Sequence, residues 1–187
     1  MFPEKTLPQM LREQARARQD KIAIRQKDFG IWKPITWQQY YARACDVGLG
    51  LRELGLQKGG HLAVISENRI EWVLAQLGAG LTGAITVGVY PTSPANEVAY
   101  VLGHSDAEIA VCEDQEQVDK VLEIGEKATL VSRIYYDDPR GLRNYEGVES
   151  FERLQEKGRE FDRAHPGWYE AEVARGVPDD VSVMLYT

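Results

Sequence analysis

Residues 61–114, HLAVISENRIEWVLAQLGAGLTGAITVGVYPTSPANEVAYVLGHSDAEIAVCED, decide the fold. LAVI (62–65) is a continuous apolar run. It is too short for a buried helix and suits a parallel strand covered on both faces. Asn68 with Glu71 marks a helix start, and Ile70, Val73, Leu74, Leu77 and Leu81 follow at helical spacing. AITVGV (84–89) is the next strand, Ser93-Pro94 opens another helix, and EIAVC (108–112) is a third strand.

Working outward, a helix around Gln117 to Lys127 and a strand TLVSRIYY (129–136) continue the alternation. A helix near Phe151 to Arg163, a less regular stretch HPGWYEAEVARGVPDD and a last strand VSVMLYT (181–187) complete it. Upstream, Glu4 to Arg18 reads as a helix and Lys21 to Lys27 as a strand, while DFGIWKP reads as a turn. Thr36 and Gln39 have capping-box spacing, so a helix runs from Trp37 to near Leu54 and ends at Gly55. Alternation at these lengths gives an α/β class: a mostly parallel sheet with helices on both faces. No linker or repeat interrupts residues 1–187, which read as a single unit. A chain that stops in or just after a buried strand reads as truncated.

Composition bounds the function. The 187 residues carry 22 Lys+Arg against 29 Asp+Glu, a formal charge of −7, which disfavours a nucleic-acid surface. No stretch approaches the ~18 apolar residues that span a bilayer, and the N-terminus lacks a secretory signal. Cys45 and Cys112 are far apart and fit reduced thiols in a cytoplasmic protein.

Gly78-Ala79-Gly80-Leu81-Thr82-Gly83 matches the dinucleotide fingerprint in letters, but it follows a helix and precedes a strand. The fingerprint needs the opposite polarity, so the motif reads as helix termination and close packing. His61, His104 and His165 are scattered, and no metal-ligand spacing exists. Ser66 lacks a nucleophile-elbow context and reads as a cap or turn residue. The acidic pairs Glu113-Asp114, Asp137-Asp138 and Asp179-Asp180 read as solvated turns, and the four tryptophans as packing residues. VGVYPTSPANE (87–97) carries more functional weight, as a strand-to-helix connection on the edge where open α/β sheets bind ligands. Capping by Ser93 and Pro94 is its plain structural alternative.

Several stretches together resemble the N-terminal part of the acyl-adenylate-forming (AMP-binding) enzymes, in the long-chain fatty-acid–CoA ligase group. RQKDFGIWKPITWQQY (25–40) is similar to the family's opening strand pair and the segment starting its next helix. Residues 54–114 resemble its next block, and VPDDVSVMLYT (177–187) the strand entering its phosphate loop. Tyr90-Pro91-Thr92 and the Lys27, Gly30, Trp32, Thr36-Trp37 pattern look more like the long-chain group than the aryl or acetyl groups.

The resemblance implies fatty acid, ATP and CoA as substrates, with Mg²⁺, reacting through acyl-AMP and releasing diphosphate. It carries over one site residue, Thr187, as the start of the phosphate loop. It implies no catalytic or metal-binding residue within 1–187, no ligand held by this segment alone, and no activity of it alone. The acyl pocket and the mobile C-terminal domain would lie beyond. It allows peripheral membrane contact of the whole enzyme and self-association through an exposed sheet edge. Another adenylating enzyme, such as an aryl-CoA ligase, a luciferase-like enzyme or a peptide-synthetase adenylation domain, stays open. So do a nucleotide-binding oxidoreductase and a non-enzymatic α/β binding module.

Overall fold

The computed structural model describes residues 5–125, 132–135 and 147–186. The chain opens with helix α1 (Leu7–Arg18), three residues later than Glu4, which lies outside the described residues. Thr6 is its N-cap: the Thr6 hydroxyl accepts from the Gln9 amide, and the Gln9 side chain accepts from the Thr6 amide. This capping box sets the start, because it satisfies two amides that the first turn cannot.

Strands β1 (Ile22–Asp28) and β2 (Ile31–Thr36) form an antiparallel hairpin. The expected turn over DFGIWKP is therefore only two residues long, Phe29 and Gly30, and IWKPIT is a strand. Both turn residues have positive φ, 45° and 82°, as a type I′ connection demands. Pro34 is tolerated because this is a two-stranded sheet, where each strand has an open edge. Helix α2 (Trp37–Glu53) starts at the Thr36–Gln39 capping box, and Gly55 follows it at φ 100°.

Among the described residues six strands form one parallel sheet in the order β7-β6-β5-β3-β4-β8. They are β3 (His61–Ile65), β4 (Ile85–Val89), β5 (Ala107–Cys112), β6 (Ser132–Tyr135), β7 (Val148–Ser150) and β8 (Val183–Leu185). Helices α3 (Ile70–Leu81), α4 (Ala95–His104), α5 (Gln115–Ile124), α6 (Phe151–Ala164) and α7 (Trp168–Arg175) connect or flank them. The α/β class and the parallel sheet expected from the alternation are what the chain forms.

Side-chain alternation divides the core in two. Leu62, Val64, Ile109 and Val111 point to one face, where they meet Val47 and Leu51 of α2, Leu74 of α3 and Leu154 of α6. Ala63, Ile65, Ala110 and Cys112 point to the other, against Val98 and Leu102 of α4 and Val118 and Val121 of α5. Both faces of β3 and β5 are dry, which explains their unbroken apolar runs.

Three sequence expectations need correction. Asn68 is not the cap of α3; Arg69 is, with no side-chain cap bond. Ser93 does not cap α4, whose N-cap is Pro94, again without a side-chain bond. The stretch 165–180 is only partly irregular: Gly167 turns the chain at φ 78° into α7, which buries Val173, while 176–180 carries no helix or strand. Helix α5 spans Gln115–Ile124, with Asp114 accepting from the Gln117 amide as its cap. Lys127, residues 129–131, Tyr136 and Asp137-Asp138 lie outside the described residues.

Glycine sets the closest helix approaches. Helix α2 touches α3 through Gly48 and Gly78, where a Cβ on Gly78 would stand 2.8 Å from the Gly48 nitrogen. On its other side α2 meets α6, where a Cβ on Gly158 would stand 1.8 Å from the Asp46 carbonyl oxygen. Arg159 donates to the Asp46 carboxylate at 3.0 Å in the same crossing and opposes the desolvation that raises its pKa.

Candidate functional site at the carboxyl edge of the sheet

Parallel strands all deliver their carboxyl ends to one edge, and loops there carry function in open α/β sheets. Strands β3, β4 and β8 run parallel as neighbours, so Ser66, Tyr90 and Tyr186 emerge together. They line a recess of about 260 Å³ with Glu67, Asn68 and Trp72. Its floor is Gly88, where a Cβ would stand 2.8 Å from Leu185 Cδ2 and 3.6 Å from the Trp72 ring. Glycine at that position keeps the strand low and the recess open.

The candidate connection after β4 is ordered by backbone contacts. The Ser93 amide donates to the Tyr90 carbonyl at 3.0 Å, and Lys120 Nζ donates to the Pro91 carbonyl at 2.7 Å. Tyr90 itself is 72% exposed over the recess. At the opposite wall, Tyr186 Oη and His104 Nδ1 share a hydrogen bond of 2.8 Å, with Tyr100 stacked on His104 at 5.5 Å between centroids. This contact ties the end of β8 to α4 across 82 residues of chain. Thr187, the residue assigned to the start of the phosphate loop, lies outside the described residues. The path is fixed as far as Tyr186, one residue before it.

The crevice between β3 and β5, where the connections diverge in opposite directions, is closed by the protein itself. The Glu113 carboxylate accepts from the Glu67 amide at 2.8 Å, and its other oxygen stands 3.6 Å from Arg69. Glu113-Asp114 therefore orders two loops and does not stand as a free acid–base pair. Asp179-Asp180 is likewise committed: Asp180 accepts from the Val177 amide at 2.9 Å and pairs with Lys58 at 3.2 Å. That backbone bond and Lys58 hold the Asp180 carboxyl below the usual carboxylate range.

The remaining candidates do not converge. Ser66 Oγ donates to the Glu67 carbonyl at 2.7 Å. His61 opens β3, and His165 ends α6, stacked on Phe161 at 4.3 Å. Gly78 to Gly83 forms the close of α3 and the turn into β4, with Gly83 at φ 73°. That is the reverse of the strand-to-helix polarity a dinucleotide needs. Among the described residues no three His, Cys, Asp or Glu side chains are placed to hold a metal ion. The cations nearest the recess, Lys120 and Arg69, already contact Pro91 and Glu116, and Glu71 and Glu113, respectively. The described residues thus do not fit a Mg²⁺–triphosphate site by themselves.

Sequence reading did not foresee Asn68, Trp72 or the His104–Tyr186 bond at this edge. Asn68 and Trp72 are visible as the residues flanking the start of α3, but only the fold shows which way they face. A wider groove of about 840 Å³ lies beside the hairpin, between Ile24–Phe29, Trp32 and the start of α3. It shares Asn68 and Trp72 with the recess, so the two adjoin at the start of α3.

Comparison with known proteins places this architecture. The AMP-binding enzyme family matches residues 11–187. The long-chain-fatty-acid–CoA ligase ACSBG2 of Xenopus laevis is 30% identical over 138 residues, covering 73% of this chain and 19% of the relative. Fatty acyl-CoA synthetase A of Dictyostelium discoideum is 31% identical over 169 residues, covering 84% of this chain and 23% of the relative. The chain thus spans about a fifth of the length of the curated relatives it matches.

Among solved structures, a long-chain-fatty-acid–CoA ligase from Archaeoglobus fulgidus superposes with a TM-score of 0.79 at 18% identity. The superposition covers all of this chain and 35% of that one. The N-terminal domain of FACL13 from Mycobacterium tuberculosis gives 0.73 at 22% identity, covering 98% of this chain and 42% of that one. These likenesses speak for the fold alone, whereas the family match extends over nearly every described element. The chain belongs to the AMP-binding enzyme family.

Proposed function

We propose that the protein carrying these residues is an ATP-dependent long-chain fatty-acid–CoA ligase, and that residues 1–187 form one unit, the N-terminal part of its adenylating domain. In this reading a fatty carboxylate attacks the α-phosphate of ATP, giving acyl-AMP and diphosphate; the CoA thiol then displaces AMP. ATP and CoA are the cosubstrates, and Mg²⁺ neutralises the departing diphosphate when bound. The observation that carries the reading is the family match across residues 11–187, together with relatives named for fatty acids.

The segment's own contribution is positional. The parallel sheet delivers Tyr186 to the carboxyl edge beside Tyr90, so a phosphate loop starting at Thr187 would begin at the edge where such sheets bind ligands. Catalysis would need clustered amides, hydroxyls and a lysine around the triphosphate. None of those groups converges among the described residues, so the 187-residue chain alone is inactive in this account. The reading places the whole enzyme in the cytoplasm and allows it peripheral contact with membranes. It leaves the open edge of β8 as a route to self-association.

The test is acyl-dependent ATP–pyrophosphate exchange by the whole protein with a panel of saturated fatty acids, benzoate and amino acids. Exchange is expected with long-chain acids and at background with the others. Exchange driven by benzoate or an amino acid alone would replace this reading with an aryl-CoA ligase or a peptide-synthetase-like one.

A further inference from the structure

The hairpin β1–β2 ends in a side chain that neither turn geometry nor packing selects. Its two-residue turn needs positive φ at both positions, which favours Asn, Asp or Gly at the first. The chain places Phe29 there, at φ 45°, and the ring is 99% exposed. Phenylalanine in the left-handed region is sterically disfavoured, and a fully exposed ring buries nothing within the fold.

Two more large apolar side chains flank it. Ile31 is 67% exposed and Trp32 61% exposed. Ile31 and Trp32 project to opposite faces of β2, on either side of Phe29, and three such residues at one turn are unlike the scattered single residues of an ordinary surface.

The charge around this turn has the opposite sign to the rest of the molecule. Residues 22–36 carry Arg25, Lys27 and Lys33 against Asp28 alone, in a chain of net charge −7. Lys33 pairs with Asp28, while Arg25 and Lys27 form no ion pair among the described residues. Lys27 lies opposite Trp32 in the register, with its ammonium 6.0 Å from the Trp32 ring centroid. Directly paired residues share a face of the hairpin, so cation and indole project together.

We propose that the β1–β2 hairpin tip docks on anionic lipid bilayers, with Phe29, Ile31 and Trp32 entering the headgroup–acyl boundary and Arg25 and Lys27 facing lipid phosphates. Tryptophan favours that boundary because its ring is amphipathic, and basic residues gain from the negative surface potential. An acidic protein is otherwise repelled by such a surface, so a locally cationic, apolar tip fixes which end meets it. The inference does not depend on the acyl-ligase reading.

The test is cosedimentation of the 187-residue chain with vesicles of equal parts phosphatidylcholine and phosphatidylglycerol. Binding is expected, weakening about fivefold on Lys27→Gln because each cation near the surface counts similarly. Phe29→Asn is expected to weaken it about tenfold through loss of the buried ring. Asparagine suits the turn better than phenylalanine, so the same variant should melt no lower than the parent. Brominated acyl chains should quench Trp fluorescence in the parent and much less in Trp32→Phe. Absence of binding, or Phe29→Asn binding as tightly as the parent, would overturn the proposal. So would a vesicle-indifferent dimer that Phe29→Asn dissociates, since the tip would then serve a second copy of the chain.

Discussion

Gly158→Ala is expected to lower the melting midpoint by about 10 °C, corresponding to about 3 kcal/mol for a chain of this size. Taken alone, alanine in a helix is favoured over glycine by about 1 kcal/mol, so intrinsic propensity predicts the opposite sign. The crossing of α2 and α6 decides the outcome. A Cβ at Gly158 would stand 1.8 Å from the Asp46 carbonyl oxygen and 2.7 Å from its carbon, and backbone cannot rotate away as a side chain can.

Relief would move α6 off α2, loosening Leu154, which packs beside Gly50, and the Arg159–Asp46 bond. Glu160→Ala, on the exposed side of the same helix, should leave the midpoint nearly unchanged. Thermal unfolding by circular dichroism separates the two. An unchanged or raised midpoint for Gly158→Ala would mean that the helices do not approach this closely.

The second large effect concerns the thiols. Cys45 and Cys112 are both buried, one in α2 and one at the end of β5. Modification requires an opening of the structure, so labelling of the folded chain is expected at least ~10³-fold more slowly than in denaturant. Burial chiefly raises the Cys45 thiol pKa; Asp46, Glu170 and Asp162 add to it, and a hydrogen bond with Tyr41 opposes it. A raised pKa means less thiolate at every pH. Direct reaction of Cys45 without opening should therefore gain little through pH 8–9, where a free thiol titrates. Titration with an aromatic disulfide reagent measures the rate; one equivalent released within the mixing time would contradict the burial of these thiols.

How much of this was legible in the sequence depends on whether burial was local. Strands β3 and β5 are dry on both faces, and β4 is covered except at Ile85 and Gly88, so their apolar runs stand out against amphipathic α3 and α4. The Thr36–Gln39 box announces α2 because both partners lie within four residues. The same signal at Thr6 and Gln9 was equally present and marks the true start of α1.

By contrast β2 hides because its residues are mostly exposed and include Pro34, leaving no alternation to read. Helix α7 hides because only Val173 of its eight residues is buried, behind the breakers Pro166 and Gly167. Strand β7, three half-buried residues, is defined by its neighbour β6 and by nothing in its own composition.

The candidate site was legible only as an edge. Order of strands and helices put residues 87–97 and the end of β8 on the same side of a parallel sheet. No spacing could bring His104 to Tyr186, because that contact exists only once β8 is laid beside β4. The acidic pairs read as solvated turns from sequence; Glu113 and Asp180 are loop braces, because their hydrogen-bond partners are backbone amides.

The central claim is that residues 1–187 are scaffold, delivering the chain to a catalytic edge without supplying the chemistry. Its most direct test is ATP–pyrophosphate exchange by the purified 187-residue chain with a long-chain fatty acid, ATP and Mg²⁺. The account predicts background exchange, with the whole protein active under the same conditions. Fatty-acid-dependent turnover by the 187-residue chain alone would contradict it, because the groups that stabilise the departing diphosphate would then have to lie within these residues.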